Sequence, residues 1–401
     1  MTAISKKWII VVIIIVAITL FGFYLFKKEV GTITIPDTVK KEGSNGDNRS
    51  IAYLSLPTGL VMNIYAENLP DARVIQFDPK GRMLVSQPGE GKISVLADSD
   101  KNGSADNHTT LVDKINKPHG MAFDCRETCY LYVALSNALV RYDYDQEKGT
   151  VSSYKKLLDL PSGSTDRHFT RDLLFLPSPN ENILLISIGS SCNVCHEDDS
   201  HGSIIQYDTK TGKTDPYVKG LRNAVFMTLH NDKVYATEMG RDGLGDNIPP
   251  DEINIIEKGG SYGWPICYGK NIHDTDFDKN TYIRNPCMEP LEKESYVDLQ
   301  AHSAPLGLTF IPESWGKEYA NDLLVAYHGS WNRSVPTGYK IVRVKFDDQG
   351  RYVDTEDFIT GWLGKDGKKY GRPVDIKFTD DEIAYISDDE QGVIYRLSLD
   401  K

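Results

Sequence analysis

Polar side chains that could bind an anion recur at one place in this sequence, the starts of successive β-rich segments. The set consists of His119, His168, Arg171, Arg222, Asn223, Ser303 and Arg372. If the segments form a ring, these starts meet at one mouth, and neighbouring cations in a desolvated channel are costly. An anionic ligand would relieve that cost by pairing with the guanidinium groups. Taken singly, each His or Arg would more often be a hydrogen-bonded structural residue, so the prediction depends on their convergence.

A second group of oxygen-bearing side chains suggests a metal site. These side chains belong to Asp98, Asp100, Asn102 and Asp106. The first three occupy positions 1, 3 and 5 of an EF-hand-like loop, with Gly103 at position 6. Position 12 is Thr109, which cannot supply the usual bidentate carboxylate, and no flanking helices are predicted. A calcium loop and a plain polar hairpin loop are therefore both open.

The segment Cys192-Asn-Val-Cys195-His196 matches the C-x-x-C-H signature of c-type haem attachment. It lies within a β-rich segment, whereas haem attachment needs a domain that can enclose a porphyrin. A disulfide is the favoured interpretation, and haem attachment or a free or metal-binding pair are the alternatives. Zinc is disfavoured because no second such pair accompanies the first.

The cysteines indicate the compartment. All six fall into pairs that are close in sequence, namely Cys125 with Cys129, Cys192 with Cys195, and Cys267 with Cys287. An even, local arrangement of this kind favours disulfides, which persist in oxidising compartments. We therefore expect the body of the protein to be extracytoplasmic.

The N-terminus predicts a membrane anchor over residues 1–28. Nineteen uncharged residues run from Trp8 to Phe26, between two lysine pairs. As a helix they would be about 28 Å long, close to the thickness of bilayer hydrocarbon. Aromatic residues end the stretch, as at a membrane interface. A cleaved or lipid-modified leader is the alternative. Residues 29–50 are polar and predict a flexible linker.

Residues 51–401 contain six repeats of short apolar strands separated by Gly, Asp, Asn and Pro. The repeats begin at Ala72, Lys117, His168, Leu221, Ser303 and Gly371. Their number and size predict an all-β, six-bladed β-propeller, and a sandwich or jelly roll would not explain them. Strands after Ile51 and at the C-terminus could share one blade and remove the exposed sheet edges. The net charge of −12 gives no reason to expect nucleic acid as a partner.

Several long motifs resemble the glucose/sorbosone dehydrogenase family. They are GLRNAVFMTLHNDKVYATEMGRDGLGDNIPPDEINIIEKGGSYGWPICYG from Gly220, RHFTRDLLF from Arg167, GSSCNVC from Gly189, SAPLGLTF from Ser303, HGSWNRSVPTGYKIVRV from His328 and GRPVDI from Gly371. The resemblance covers roughly residues 52–399 and is greatest to the sorbosone-dehydrogenase-like branch. It implies the oxidation of a sugar or polyol with pyrroloquinoline quinone (PQQ), a cofactor with three carboxylates and an ortho-quinone.

The resemblance also implies roles for particular residues. Arg222, Asn223 and Arg372 match PQQ-binding positions, and Lys340 and Arg333 are further candidates. His168 matches the histidine that takes the hydroxyl proton of the substrate while a hydride passes to the quinone. The pKa of a histidine suits that role.

The sequence departs from the glucose-oxidising branch immediately before His168. That branch has an aspartate there to orient the imidazole, whereas this chain has Arg167, with Asp166 one position earlier. Another group must then orient the ring, or the base is weaker and the substrate differs. A non-catalytic member of the family is the remaining alternative.

Calcium is the second cofactor that the resemblance implies. The loop from Gly240 to Glu252 matches the calcium-bearing region, and its backbone carbonyls with Asp251 and Glu252 are the candidate ligands. Capping and turn formation are the structural alternative for both carboxylates.

The sequence therefore predicts a membrane-anchored, extracytoplasmic sugar dehydrogenase that passes electrons to a respiratory or periplasmic acceptor. A non-catalytic propeller that binds a glycan or protein is the alternative from another class. A calcium-dependent lactonase is a third, but it would call for carboxylate or Asn ligands where this chain has Arg and His.

Overall fold

The computed structural model describes residues 51–162, 168–198 and 200–400. The predicted anchor at 1–28 and linker at 29–50 lie outside these ranges. Within the described ranges, no helix combines the length and apolar character needed to cross a bilayer.

The described chain is almost entirely β-structure and confirms the predicted six-bladed propeller. The first strand, β1 (Leu60–Ala66), belongs to blade 6. Blade 1 consists of β2 (Ile75–Phe77), β3 (Met83–Gln87), β4 (Lys92–Ala97) and β5 (Asn107–Val112). Blade 2 has β6 (Met121–Asp124), β7 (Tyr130–Leu135), β8 (Ala138–Asp145) and β9 (Thr150–Asp159). Blade 3 has β10 (Leu173–Phe175), β11 (Ile183–Ile188), β12 (Ser203–Asp208) and β13 (Thr214–Lys219).

The second half of the chain completes the ring. Blade 4 has β14 (Ala224–His230), β15 (Lys233–Glu238), β16 (Asp251–Ile256) and β19 (Val297–Leu299), with the small pair β17 (Cys267–Tyr268) and β18 (Ile272–His273) inserted before β19. Blade 5 has β20 (Pro305–Phe310), β21 (Leu323–Tyr327), β22 (Lys340–Phe346) and β23 (Tyr352–Ile359). Blade 6 has β24 (Pro373–Phe378), β25 (Ala384–Asp388) and β26 (Val393–Leu399), joined by β1 (Leu60–Ala66). Short 3₁₀ helices occupy Pro88–Glu90, Pro286–Met288 and Glu313–Trp315.

The two ends of the described chain close the ring, as predicted. The first strand, β1, pairs antiparallel with β26, from Leu60 opposite Leu399 to Ala66 opposite Ile394. This pairing completes blade 6 with a strand from the other end of the propeller and covers an edge of β26 that would otherwise be unpaired.

Blades pack face to face, so their second strands are buried on both sides. Every residue of β3, β21 and β25 is buried, and their sequences are correspondingly rich in Leu, Val, Ile and Ala. The outer strands carry more polar residues, and β9 is mostly exposed. Apolar contacts between blades form the core, with Leu84, Val133, Leu306, Val325 and Val374 among its fully buried members.

The innermost strands surround the central channel and are tied to one another directly. Strand β10 contacts β6 and β14, β20 contacts β14 and β24, and β24 contacts β2. Two buried carboxylates reinforce this ring, since Asp172 accepts a hydrogen bond from the Met227 amide and Asp375 accepts one from the Ile75 amide. The starts of these strands therefore share one end of the channel, and this arrangement brings the candidate site residues together.

Disulfides join all three predicted cysteine pairs, Cys125–Cys129, Cys192–Cys195 and Cys267–Cys287. The second pair is the one within the haem-like motif. Because its sulfurs are bonded to each other, they are not available as thioether or metal ligands in this state.

Candidate functional site

A cavity of about 400 Å³ opens between blades 3, 4 and 5 at the strand starts. Its lining consists of His168, Asn193, Arg222, Met239, Gly240, Asp242, Asp251, His302, Ala304, Trp331 and Asn332. The volume lies within the range of roughly 300–1,000 Å³ usual for small-molecule sites. Two of the predicted residues, His168 and Arg222, therefore lie in one cavity although 54 positions separate them in sequence.

His168 precedes β10, and its imidazole is oriented by Ser190. The ring Nδ1 lies 3.0 Å from the Ser190 carbonyl oxygen and 3.1 Å from the Ser190 Oγ. The Ser190 hydroxyl donates its own hydrogen to the Cys192 carbonyl, at 2.6 Å. Both groups facing Nδ1 are thus acceptors, so Nδ1 carries the proton and Nε2 is the basic nitrogen of the neutral ring.

This arrangement supplies an orienting group for His168 that the sequence does not reveal. Residues 163–167, which include Asp166 and Arg167, lie outside the described ranges. Within the described residues, a serine and its carbonyl do what an aspartate is expected to do in the glucose-oxidising branch.

Arg222 precedes β14 and is 5% exposed. Its Nε and Nη2 donate to the backbone and side-chain oxygens of Asn193, both at 2.9 Å, and Nη1 donates to the Met239 carbonyl at 3.3 Å. The carboxylate of Asp242 lies 3.5 Å from Nη2. A guanidinium is protonated at any physiological pH, so Arg222 places a cation at the cavity wall beside the Asp242 carboxylate.

Asn223 lies beside His168, and Gly189 makes this possible. The backbone N–H of Asn223 donates to the buried Glu238 carboxylate at 2.9 Å. The side-chain Oδ1 of Asn223 is buried and has no hydrogen-bond partner. A Cβ on Gly189 would lie 2.5 Å from Asn223 Oδ1 and 2.6 Å from His168 Cβ. Only glycine leaves room there for both side chains.

The two candidate calcium ligands of blade 4 are separated, because consecutive residues of a strand face opposite ways. Asp251 lines the cavity and accepts hydrogen bonds from the Gly240 and Ala304 amides, each at 2.9 Å. Glu252 is absent from that lining and accepts from the Gly269 amide at 2.6 Å. Burial raises the pKa of Asp251 to about 6 and the pKa of Glu252 to about 7.

Asn223 and the other three predicted cofactor ligands lie outside the cavity lining. Arg372 donates to the carbonyls of His328 and Gly329, at 3.0 and 2.8 Å. Lys340 forms an ion pair with Asp357. Arg333 donates to the Ala301 carbonyl at 3.2 Å and to Asn247 at 2.9 Å. Of the two strand-start arginines predicted to bind the cofactor, Arg222 therefore lies in the cavity lining and Arg372 does not.

The loop of Asp98, Asp100, Asn102 and Asp106 connects β4 to β5 and is closed by its own hydrogen bonds. Asp98 accepts from the Asn102 and Gly103 amides, each at 3.0 Å, and Asp106 accepts from the Ser99 amide at 2.7 Å. These bonds are those of a polar turn. The three carboxylates of this loop do not all lie within 4.8 Å of one another. In the described ranges, the one group of three potential metal-ligating side chains that does is Cys192, Cys195 and Glu197. Calcium binding at this loop stays a prediction.

The cavity residues whose side chains were not predicted include Asn193, Asp242, His302, Trp331 and Asn332. Trp331 is 78% exposed, which is unusual for so large an apolar side chain. The sequence contained an indication of three of them, because Trp331 and Asn332 lie in the family-like motif from His328, and Asn193 lies in the motif GSSCNVC.

The sequence model of the TrAA12-like family matches residues 54–400. The chain is 38% identical over 247 residues to an uncharacterized protein of Borreliella burgdorferi, covering 60% of this chain and 63% of that protein. It is 23% identical over 385 residues to the PQQ-dependent pyranose dehydrogenase of Coprinopsis cinerea, covering 80% of this chain and 51% of that enzyme. The chain thus spans only about half to three fifths of the length of these relatives.

Solved structures give the same fold. Iodide and calcium structures of a Trichoderma reesei protein from carbohydrate-active enzyme family AA12 match with TM-scores of 0.75 and 0.74. Both are 23% identical to this chain and cover 88% of it, and the chain covers 100% and 99% of them. At this identity the similarity establishes the propeller fold alone.

Proposed function

Because the chain belongs to the TrAA12-like family, we propose that it is a PQQ-dependent dehydrogenase that oxidises a sugar or polyol. The observation that carries the proposal is the presence of His168 and Arg222 in one cavity, the first with a basic nitrogen and the second with a positive charge. The relative from Coprinopsis cinerea is named for the same cofactor and for pyranose oxidation. A sorbosone-type substrate stays a prediction from the sequence.

The residues at the cavity fit an anionic, planar cofactor. Arg222 offers a guanidinium at the wall, suited to a carboxylate. The buried Asn223 Oδ1 has no partner, while its Nδ2 faces only the sulfur of Met239, at 3.4 Å. Rotating this amide by 180° would place its N–H donors at the unpartnered position, where they could bond a quinone or carboxylate oxygen. PQQ, when bound, supplies the quinone that accepts a hydride.

The chain's own contribution to the chemistry is a positioned base. His168 Nδ1 holds its proton against Ser190, so Nε2 takes the hydroxyl proton of the substrate as the hydride leaves the carbinol carbon. The resulting imidazolium is stabilised through Nδ1 by the Ser190 carbonyl oxygen. Among the described residues, the two oxygens of Ser190 suffice to hold this tautomer.

Trp331 suits the recognition of a sugar. Its exposed indole forms part of the cavity lining beside Asn332. An aromatic face can stack on the apolar C–H face of a pyranose, while the amide of Asn332 offers hydrogen bonds to hydroxyl groups. We therefore assign substrate recognition to this side of the cavity.

Calcium would be held near Asp251. Asp242 and Asp251 both line the cavity, and carboxylates with backbone carbonyls are the ligands that Ca²⁺ prefers. In the described residues no third His, Cys, Asp or Glu joins them within 4.8 Å. Main-chain carbonyls of the loop after Met239, together with PQQ oxygens, would have to complete the coordination.

The location proposed for the enzyme is the outer side of a membrane, with residues 8–26 as the anchor. The disulfides at the surface and within the cavity loop support an oxidising compartment. Tethering would keep the enzyme near a respiratory or periplasmic electron acceptor, which gives the anchor a function.

The test is reconstitution of the full chain. PQQ and Ca²⁺ are added, PQQ binding is titrated, and dye reduction is measured over a panel of aldoses and polyols. We expect saturable PQQ binding and sugar-dependent reduction of the dye. If PQQ binds but no sugar supports turnover, the alternative of a non-catalytic propeller is correct, and absence of PQQ binding overturns the whole proposal.

His168→Ala separates chemistry from binding. Loss of the base should lower turnover by about 10²–10⁴-fold, while the PQQ dissociation constant stays within a factor of about three because Arg222 is intact. His230→Ala, at a histidine outside the cavity lining, is the matched control and should retain full activity. Unchanged turnover in His168→Ala would remove this residue from the catalytic role.

A further inference from the structure

Asn193 lies between the two cysteines of the Cys192–Cys195 disulfide and makes four hydrogen bonds at the cavity. Its backbone and side-chain oxygens accept from Arg222 Nε and Nη2, both at 2.9 Å. The side-chain oxygen also accepts from the Asp242 amide at 2.8 Å, and its Nδ2 donates to the Asp242 carbonyl at 3.0 Å. One side chain from blade 3 thus binds two residues of blade 4.

The disulfide closes the short turn that presents Asn193. Cys192 and Cys195 are three positions apart, so the bond restrains the two residues between them. The same turn accepts the Ser190 hydroxyl at the Cys192 carbonyl, and Ser190 in turn orients His168. Residues 190–195 therefore set the positions of the proposed base and of the proposed cofactor arginine together.

Arg222 has a competing partner if Asn193 is lost. The Asp242 carboxylate lies 3.5 Å from Nη2 and shares the cavity wall. Without the amide, the Asp242 backbone also loses two hydrogen bonds and the guanidinium would move toward this carboxylate. A closer ion pair would neutralise the charge that the cavity offers to an anion.

We propose that Asn193 is a positioning residue for Arg222, held in place by the Cys192–Cys195 disulfide, and that together they determine the affinity for PQQ. The inference rests on the proposed function, since it concerns how the same cavity binds its cofactor. It assigns the cysteine pair of the haem-like motif a role in cofactor binding that requires neither haem nor metal.

The experiment titrates PQQ into the Ca²⁺-loaded full chain and follows binding by calorimetry. Asn193→Ala should raise the PQQ dissociation constant about 10-fold, the effect of losing a hydrogen bond to a charged group. The double variant Cys192→Ser/Cys195→Ser should raise the PQQ dissociation constant by at least as much, because the turn that presents both the backbone and the side-chain oxygen of Asn193 to Arg222 is then unrestrained. At saturating PQQ the KM for sugar should be unchanged, since Arg222 acts on the cofactor.

Two matched controls test whether the effect is local. Asn182→Ala removes an asparagine that bonds Asp208 outside the cavity, and Cys125→Ser/Cys129→Ser opens the disulfide of blade 2. Neither should alter PQQ binding, although either could lower the melting temperature.

The outcomes separate the inference from the proposed function. If the unaltered chain fails to bind PQQ, the proposed function fails. If the unaltered chain binds PQQ and Asn193→Ala binds it equally well, only the positioning role of Asn193 is wrong. An equal loss of affinity in all four variants would show that general destabilisation, and not the position of Arg222, controls binding.

Discussion

Arg222 and Arg372 occupy equivalent places in the propeller, each just before the innermost strand of its blade, yet their surroundings differ. Arg222, in blade 4, lines the cavity and is held by Asn193 and Met239. Arg372, in blade 6, donates to two carbonyls that follow β21 of blade 5. A cation at a strand start can therefore face a ligand cavity or link two blades, and the position of its hydrogen-bond acceptors determines which.

Arg372 belongs to an inter-blade cluster with Arg73, His328 and Asp389. The Asp389 carboxylate accepts from Arg73 at 2.6 Å and from His328 Nε2 at 2.9 Å, which joins blades 1, 5 and 6. Burial would raise the pKa of Asp389, but His328 and the arginines hold it well below its ordinary value. Two arginines and a histidine thus surround one carboxylate in this cluster, whereas the cavity places Arg222 beside Asn193 and the Asp242 carboxylate.

The largest effect is expected from Gly189→Ala, because Gly189 packs directly against His168 of the cavity lining. The new methyl group would overlap both Asn223 and His168, so it should weaken PQQ binding more than 100-fold and abolish turnover. Calorimetric titration and the dye assay measure the two effects. Normal PQQ affinity in this variant would show that Gly189 does not define the site.

Arg222→Ala and Arg372→Ala test whether the first arginine binds the cofactor and the second links two blades. Removing Arg222 should raise the PQQ dissociation constant by about 10- to 100-fold, the cost of a lost charge-assisted bond. Removing Arg372 should instead lower the free energy of unfolding by about 2 kcal/mol, since two hydrogen bonds between blades 5 and 6 are lost. Urea unfolding and PQQ titration of both variants provide the measurements. A larger affinity loss for Arg372→Ala would restore its predicted role as a cofactor ligand.

The inter-blade cluster should also respond to acid. Burial lowers the pKa of His328 to about 4, with Asp389 opposing the shift and Arg372 adding to it. A depressed histidine pKa contributes stability above pH 6.5 that is lost as the pH falls toward 4. At pH 5 the loss is about 2 kcal/mol.

His328→Gln isolates this effect, because glutamine can still donate to Asp389 but does not titrate. The buried carboxylates whose pKa is raised, such as Asp172 and Asp388, stabilise the fold on acidification and are common to both proteins. The difference in unfolding free energy between parent and variant should therefore change by about 2 kcal/mol between pH 7.5 and pH 5. An unchanged difference would mean that His328 titrates normally.

The smallest effect is expected on the substrate side of the cavity. Trp331→Ala should raise the KM for sugar about 5-fold, in line with the loss of one stacking contact, and leave PQQ affinity unaltered. Tyr154→Ala, at an exposed aromatic residue of β9, is the matched control. If KM is the same in both variants, the sugar binds elsewhere.

Much of the fold could be predicted because its signals are local in sequence. The six repeats, the shared blade at the termini and the three cysteine pairs each follow from short segments. The site was only partly predictable. His168 and Arg222 were predicted and lie in the cavity lining, whereas Trp331 and Asn193 were not predicted, because their place in the lining depends on neighbours that are far away in sequence.

The sequence by itself determined that this chain is a ring of β-sheets with polar residues at one mouth, since strand periodicity and turn residues act over a few positions. Tertiary structure alone decided which of those polar residues face the cavity. Asp251 and Glu252 are adjacent but point to opposite sides of β16, and Arg222 and Arg372 differ only in the acceptors that other blades bring to them. The orientation of the His168 ring depends in the same way on tertiary contacts, with the carbonyl and hydroxyl of Ser190.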